Sequence, residues 1–196
     1  MLDTHARKYV DPAINAAASG FISAGFSPNS VTILAFFVGI SSSILVFFDL
    51  PLLACLMLWI SGYLDAVDGS MARMLKKSTP MGALLDMTFD RFVEIGIIMS
   101  LGIKFPDTRL ILLFLSCSII FSMCVFLTVG ALSSQIKESK KSFYYQAGLA
   151  ERTEGFILFS LMILFPSRVA LIAALFAVLV VITGFQRLKE ASRILN

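Results

Sequence analysis

The 196-residue chain is 58% hydrophobic and only 15% charged, with a formal net charge of +3 and a mean hydropathy of +0.88. A soluble domain carries about 25% charged residues, and the apolar residues here fall in long runs, which excludes an ordinary water-soluble globule. Nothing resembles a hydrophilic module or a Pro/Gly/Ser linker, so the spans of one membrane domain are expected, and no nucleic-acid partner.

In chain order, residues 1–30 come first as a juxtamembrane segment. Leu2 to Phe26 mixes apolar Val10, Ile14, Phe21 and Ile22 with Arg7, Lys8 and Asp11, the pattern of an amphipathic helix lying on a membrane surface. No cleavable signal peptide is expected, because roughly the first thirty residues lack an apolar h-region. Ser27-Pro28-Asn29 reads as a turn and helix start. Six transmembrane helices are then expected in a domain over 31–187: Val31–Phe48, Leu50–Arg73, Gly82–Ile103, Leu110–Leu132, Gly148–Phe165 and Val169–Phe185. Residues 188–196 form a tail. The fold class is therefore an all-α integral membrane protein.

The basic residues orient it. Arg7 and Lys8, then Arg73, Lys76 and Lys77, then Lys137, Lys140, Lys141 and Arg152, then Arg187, Lys189 and Arg193 all fall on one side, against Lys104, Arg109 and Arg168 on the other. By the positive-inside rule both termini are cytoplasmic in a multi-pass cell-membrane protein. Cys55, Cys117 and Cys124 lie within apolar runs and read as packing thiols, and the single His5 lies in the polar N-terminus.

Acidic groups stand out against this background: Asp65, Asp68, Asp86, Asp90 and Glu94 lie in or beside the second and third spans. A carboxylate on a transmembrane helix is costly, so it usually faces an interior cavity and marks a site. Asp65 and Asp68 are spaced i, i+3, and Asp86 and Asp90 i, i+4, so each pair shares one helical face. Residues 74–81 make a short turn, so the helices are antiparallel neighbours whose acid faces meet near the cytoplasmic end. Four converging carboxylates cannot all stay ionised without positive charge, which hard divalent cations supply through oxygen ligands. The scarcity of His and Cys nearby favours Mg²⁺ or Mn²⁺ over zinc. Two such ions could clamp a pyrophosphate. Pairing of these acids with Arg73 and Arg91 to hold helices together is the structural alternative, and the acids outnumber the arginines. Gly69, Ala72 and Gly82 would let a base or phosphate approach the backbone, or let helices pack closely. Arg73 is placed to bind phosphate.

The run Asp65-Ala66-Val67-Asp68-Gly69-Ser70-Met71-Ala72-Arg73, followed by Gly82, Asp86 and Asp90, fits D-x-x-D-G-x-x-A-R-x8-G-x-x-x-D-x-x-x-D at all eight specified positions. It resembles the signature of the CDP-alcohol phosphotransferase family. The resemblance implies that Asp65, Asp68 and Asp86 ligate a metal pair, with Asp90 as general base close to one of the metals. It implies that Gly69, Arg73 and Thr79 contact the CDP moiety while Ala72 and Gly82 shape its pocket. Pro28-Asn29-Ser30-Val31-Thr32 is similar to the family's P-N-x-x-T element and puts Asn29 and Thr32 at the donor phosphates. The implied reaction moves a phosphatidyl group from a CDP-alcohol, usually CDP-diacylglycerol, to a small polar alcohol with release of CMP.

The acceptor is sought in 137–154, where Lys137, Lys140, Lys141 and Arg152 accompany Glu151 and Glu154. Basic groups there suit inositol phosphate or glycerol 3-phosphate, although the positive-inside rule also accounts for them. Glu151-Arg152-Thr153-Glu154 is similar to a stretch of bacterial phosphatidylinositol-phosphate synthases, which implies that Lys137 and Arg152 hold the acceptor phosphate. Lys141–Gln146 has no counterpart in synthases of known acceptor. Homodimerisation comes from the resemblance alone, and a divalent-cation transporter or channel remains the reading from another class.

Overall fold

The computed structural model describes residues 2–136 and 152–195, and every element among them is helical, as composition implies. By contacts the chain divides into two compact units, one of Thr4–Pro106 and one built on the chain from Asp107 onward.

The first unit holds α1 (Leu2–Ser23), α2 (Pro28–Phe47), α3 (Pro51–Met74) and α4 (Pro80–Lys104). Its helix ends are written in local sequence. α1 stops where Gly25 takes φ +84: Phe26 N–H then bonds the Phe21 carbonyl and Gly25 N–H the Ile22 carbonyl, both at 3.0 Å. The Phe21 and Phe26 rings meet edge-on at 5.5 Å, the apolar contact that accompanies this stop. Ser27 caps α2 in a reciprocal box with Ser30, and Pro28 occupies the first turn, where its missing N–H costs nothing. The helix thus begins three residues before the expected first span. Pro51 and Pro80 open α3 and α4 in the same way, and Thr79 caps α4 by accepting from Gly82 N–H at 3.0 Å. Between helices, Asp49 (φ 60) and Lys76 (φ 51) take the left-handed conformation that ends α2 and α3.

α2 is the central helix of this unit, packed along both α3 and α4. Gly39 permits the closest approach: a Cβ there would stand 2.5 Å from Val93 Cγ2 of α4 and 2.7 Å from Ser61 Oγ of α3. At Gly96 a Cβ would meet Ser43 Oγ at 2.5 Å. Hydroxyls lock the register across these contacts. Ser61 Oγ donates to the Ala35 carbonyl (2.7 Å), Ser42 Oγ to that of Ala54 (2.8 Å), and Ser100 Oγ to that of Ser43 (2.8 Å). Small residues and interhelical hydrogen bonds are how helices associate in lipid, each bond contributing roughly 0.6 kcal/mol. An apolar cluster of Ile14, Ala18, Val31, Ala35, Leu64, Val67 and Met71 brings α1 against α2 and α3.

The second unit holds α5 (Arg109–Ile136), α6 (Arg152–Leu164) and α7 (Val169–Leu195), with a 3-10 turn at Pro166–Arg168, and another 3-10 turn, Pro106–Thr108, begins at the last residue of the first unit. α7 packs along α5 and beside α6. The Phe121 ring of α5 lies on Gly184 of α7, where a Cβ would fall 2.5 Å from Cε1. α7 continues unbroken through the segment read from sequence as a tail.

Four stretches among the described residues are long and apolar enough to cross a membrane: Pro28–Phe47, Pro51–Met74, Pro106–Leu132 and Pro166–Ser192. They correspond to four of the six expected spans. α4 has the length, 25 residues, but Asp86, Asp90, Arg91 and Glu94 interrupt its apolar character. The fifth expected span is described only from Arg152, and its start at Gly148 lies outside the described residues.

Candidate active site

On α3, the 3.6-residue period puts Asp65, Asp68, Gly69 and Ala72 on one face, and on α4 it puts Asp86 and Asp90 together. The two helices are held on α2 by the bonds just described, so their acid faces are presented by a common support. One carboxylate oxygen each from Asp65, Asp86 and Asp90 then lies within 4.8 Å of the others, all three side chains being at least partly buried. Asp68 is 7% exposed and is not one of this converging trio.

These oxygens fit a hard cation. Around Mg²⁺ or Mn²⁺ at roughly 2.1 Å, ligand oxygens stand about 3 Å apart when adjacent and about 4.2 Å when opposite. Three oxygens within 4.8 Å of one another would draw closer together to share one such ion. The donor set is all carboxylate, which selects against zinc.

The expected donor contacts gather beside the start of α4. A Cβ on Gly82 would lie 3.2 Å from both Asn29 Oδ1 and Thr79 Oγ1, so Asn29, Thr79 and Gly82 meet at one place. Thr32 is buried, and its hydroxyl donates to the Pro28 carbonyl at 3.1 Å, supporting the turn that carries Asn29. Arg73 is exposed and folds back along α3, its Nη1 3.5 Å from where a Gly69 Cβ would stand. The half-buried Ala72 shares the Asp65 face. Arg91, the other arginine considered as a structural partner for the acids, pairs with Glu94 at 2.6 Å on its own helix.

Of the two acceptor candidates, Lys137 lies outside the described residues, as do Lys140, Lys141 and Glu151. Arg152 opens α6 in the second unit, half-buried, with its guanidinium 5.7 Å from the Phe156 ring centroid. Sequence reading used Arg187 only to orient the chain. It is half-buried within α7, donates to Ser122 Oγ at 3.1 Å and lies 5.0 Å over the Phe126 ring. Its position inside a helix, three residues after Gly184, was the available signal.

Residues 26–185 match the CDP-alcohol phosphatidyltransferase family. The chain belongs to that family. The archaetidylinositol phosphate synthase of Pyrococcus horikoshii is 30% identical over 174 residues, covering 87% of this chain and 86% of that protein. The bifunctional IPC transferase and DIPP synthase of Aquifex aeolicus is 33% identical over 114 residues, and there this phosphatidyltransferase-family chain is matched over 50% of its length and the relative over only 26%. The chain thus spans about a quarter of that larger protein. Among solved structures, the phosphatidylinositol phosphate synthase of Mycobacterium tuberculosis with CDP-DAG bound superposes with a TM-score of 0.69 at 24% identity, covering 91% of this chain and 92% of that one. The same enzyme in complex with manganese and citrate gives 0.70, also at 24%, covering 91% and 88%. At that identity the likeness establishes the fold.

Proposed function

We propose that this phosphatidyltransferase-family protein moves a phosphatidyl group from CDP-diacylglycerol to a hydroxyl of a phosphorylated polyol, inositol phosphate before glycerol 3-phosphate, releasing CMP. The observation that carries the reading is the convergence of Asp65, Asp86 and Asp90 at the register of the family signature. Two of the names, archaetidylinositol phosphate synthase and phosphatidylinositol phosphate synthase, support the acceptor.

Asp65, Asp68 and Asp86 hold two divalent ions, Mg²⁺ or Mn²⁺, with Asp90 beside one of them. When bound, the ions neutralise charge on the donor pyrophosphate and acidify the acceptor hydroxyl. Asn29, Thr79 and Gly82, with Gly69, Ala72 and Arg73, seat the CDP group, Thr32 bracing the turn. Asp90 takes the acceptor's hydroxyl proton. The acceptor oxygen then bonds the phosphorus that carries the lipid, the bond from that phosphorus to CMP breaks, and CMP leaves with its electron pair. Lys137 and Arg152 hold the acceptor's own phosphate.

In this reading all six spans cross the membrane, α4 with its acids turned from lipid. α1 lies on the cytoplasmic surface, both termini are cytoplasmic, and the protein works as a homodimer. A cation pathway would need polar groups through the full depth. The acids of α3 and α4 instead sit at one end, so this alternative has no observation in its favour.

The test is CMP release by purified, detergent-solubilised protein given CDP-diacylglycerol, Mg²⁺ or Mn²⁺, and inositol phosphate, glycerol 3-phosphate, serine or free inositol. Release dependent on a phosphorylated polyol is expected. Release only with serine or free inositol would reject the acceptor reading, and no release with any acceptor would reject the reaction.

A further inference from the structure

α1 is tied to the back of the helix that carries the acid motif. On α3, Tyr63, Val67, Ser70 and Met74 follow an i, i+4, i+7, i+11 spacing, a stripe about half a turn away from Asp65, Asp68, Gly69 and Ala72. The Tyr63 hydroxyl donates to the Ala13 carbonyl at 3.1 Å, and Ser70 Oγ donates to Asn15 Oδ1 at 2.6 Å. Ser19 Oγ lies 4.0 Å from Met74 Sδ, and Val67 is fully buried in the cluster that holds Ile14 and Ala18. Ser70 is 2% exposed, yet its partner Asn15 is an exposed residue to which the reaction assigns no role.

The location of these links along α3 is informative. Two of its bonds to α2, through Ser61 and the Ala54 carbonyl, lie before Asp65, and beyond it Val67 and Met71 pack in the cluster shared by α1 and α2. Beyond Asp65 the side-chain bond at Ser70 goes to α1. A rotation of α3 by about 20° would swing a carboxylate oxygen roughly 6 Å from the helix axis by about 2 Å. A cation site tolerates displacements of only about 0.2 Å.

We propose that Asn15 and Tyr63 are positioning residues: through the Asn15–Ser70 and Tyr63–Ala13 bonds, α1 fixes the rotation of α3 and thereby sets the reach of Asp65 toward Asp86 and Asp90. This rests on the metal-dependent reading above. Asn15→Leu leaves the buried Ser70 hydroxyl without its acceptor, whereas Asn15→Asp keeps an acceptor oxygen at the same place.

The experiment is a Mn²⁺ titration of the full-length, detergent-solubilised protein by electron paramagnetic resonance, alongside CMP release. Asn15→Leu weakens Mn²⁺ binding about five- to tenfold, Tyr63→Phe about threefold, and Asn15→Asp stays within about twofold of wild type. Should Asn15→Leu fail to fold, Tyr63→Phe, which removes one hydroxyl, carries the test. Wild-type Mn²⁺ affinity in folded Asn15→Leu or in Tyr63→Phe overturns the proposal, as does a loss in Asn15→Asp equal to that in Asn15→Leu. Mn²⁺ binding that depends on Asn15 without any CMP release would sustain the positioning role and reject the functional reading. A wild-type protein that binds no Mn²⁺ would overturn both.

Discussion

Where α2 and α4 both end, Lys104 donates to the Val46 carbonyl at 3.0 Å and pairs with Asp49, so one lysine answers the last turn of α2 and the carboxylate beyond it. At the opposite end of the same bundle, Asp65, Asp86 and Asp90 bring three carboxylate oxygens within 4.8 Å of one another. The first arrangement balances charge with a side chain and suits a structural joint. The second gathers three carboxylates, the oxygen donors that a hard cation takes. Both depend on α2, whose small residues set how closely α3 and α4 approach it. The bundle thus carries a lysine–carboxylate joint at one end and a gathered set of carboxylates at the other.

Breaking the acid end should have the largest effect. Asp90→Asn is expected to lower turnover by about 10³-fold or more while CDP-diacylglycerol binding persists, since a base is lost and the charge change is local. Loss of donor binding in a folded protein would contradict the base assignment. Asp68→Asn should raise the Mg²⁺ concentration needed for half-maximal activity by about tenfold or more; an unchanged requirement would remove Asp68 from the metal shell, which matters because it lies outside the converging trio.

Altering the shared support should be next. Gly39→Ala places a methyl against Val93 and Ser61 and is expected to destabilise by about 1–3 kcal/mol, read as a lower midpoint of thermal unfolding in detergent. Activity should fall with it, because α3 and α4 separate together. Full activity at reduced stability would show that the acid geometry does not depend on this contact.

The structural joint should matter least. Lys104→Met is expected to cost no more than about 1 kcal/mol, because Asp49 is 80% exposed and such pairs are screened by water. Its metal dependence should equal that of wild type. A shifted metal requirement would mean the two ends are coupled and would erase the contrast drawn between them.

Much of this was legible in the residues themselves. The spacing of Asp65, Asp86 and Asp90 placed them on facing helix surfaces, and Ser27-Pro28 marked a helix start, because both signals are local, whereas α4 begins at Pro80, two residues before the expected span. Helical periodicity says which residues share a face but not what that face meets, so the Asn15–Ser70 bond and the seat of Arg187 against Ser122 and Phe126 came only with tertiary packing. The bond from the Thr32 hydroxyl to the Pro28 carbonyl likewise came with the structure. Of the expected spans, α4 is the instructive one, since the residues that identify the site are those that dilute its apolar character.

The most direct test strips divalent ions from the purified protein with a chelator, then follows CMP release from CDP-diacylglycerol and inositol phosphate as Mn²⁺ or Mg²⁺ is returned. The account predicts no release without metal, recovery on its return in the wild type, and no recovery in Asp86→Asn at the same concentrations. Release that persists in the stripped protein, or recovers equally in Asp86→Asn, would contradict it.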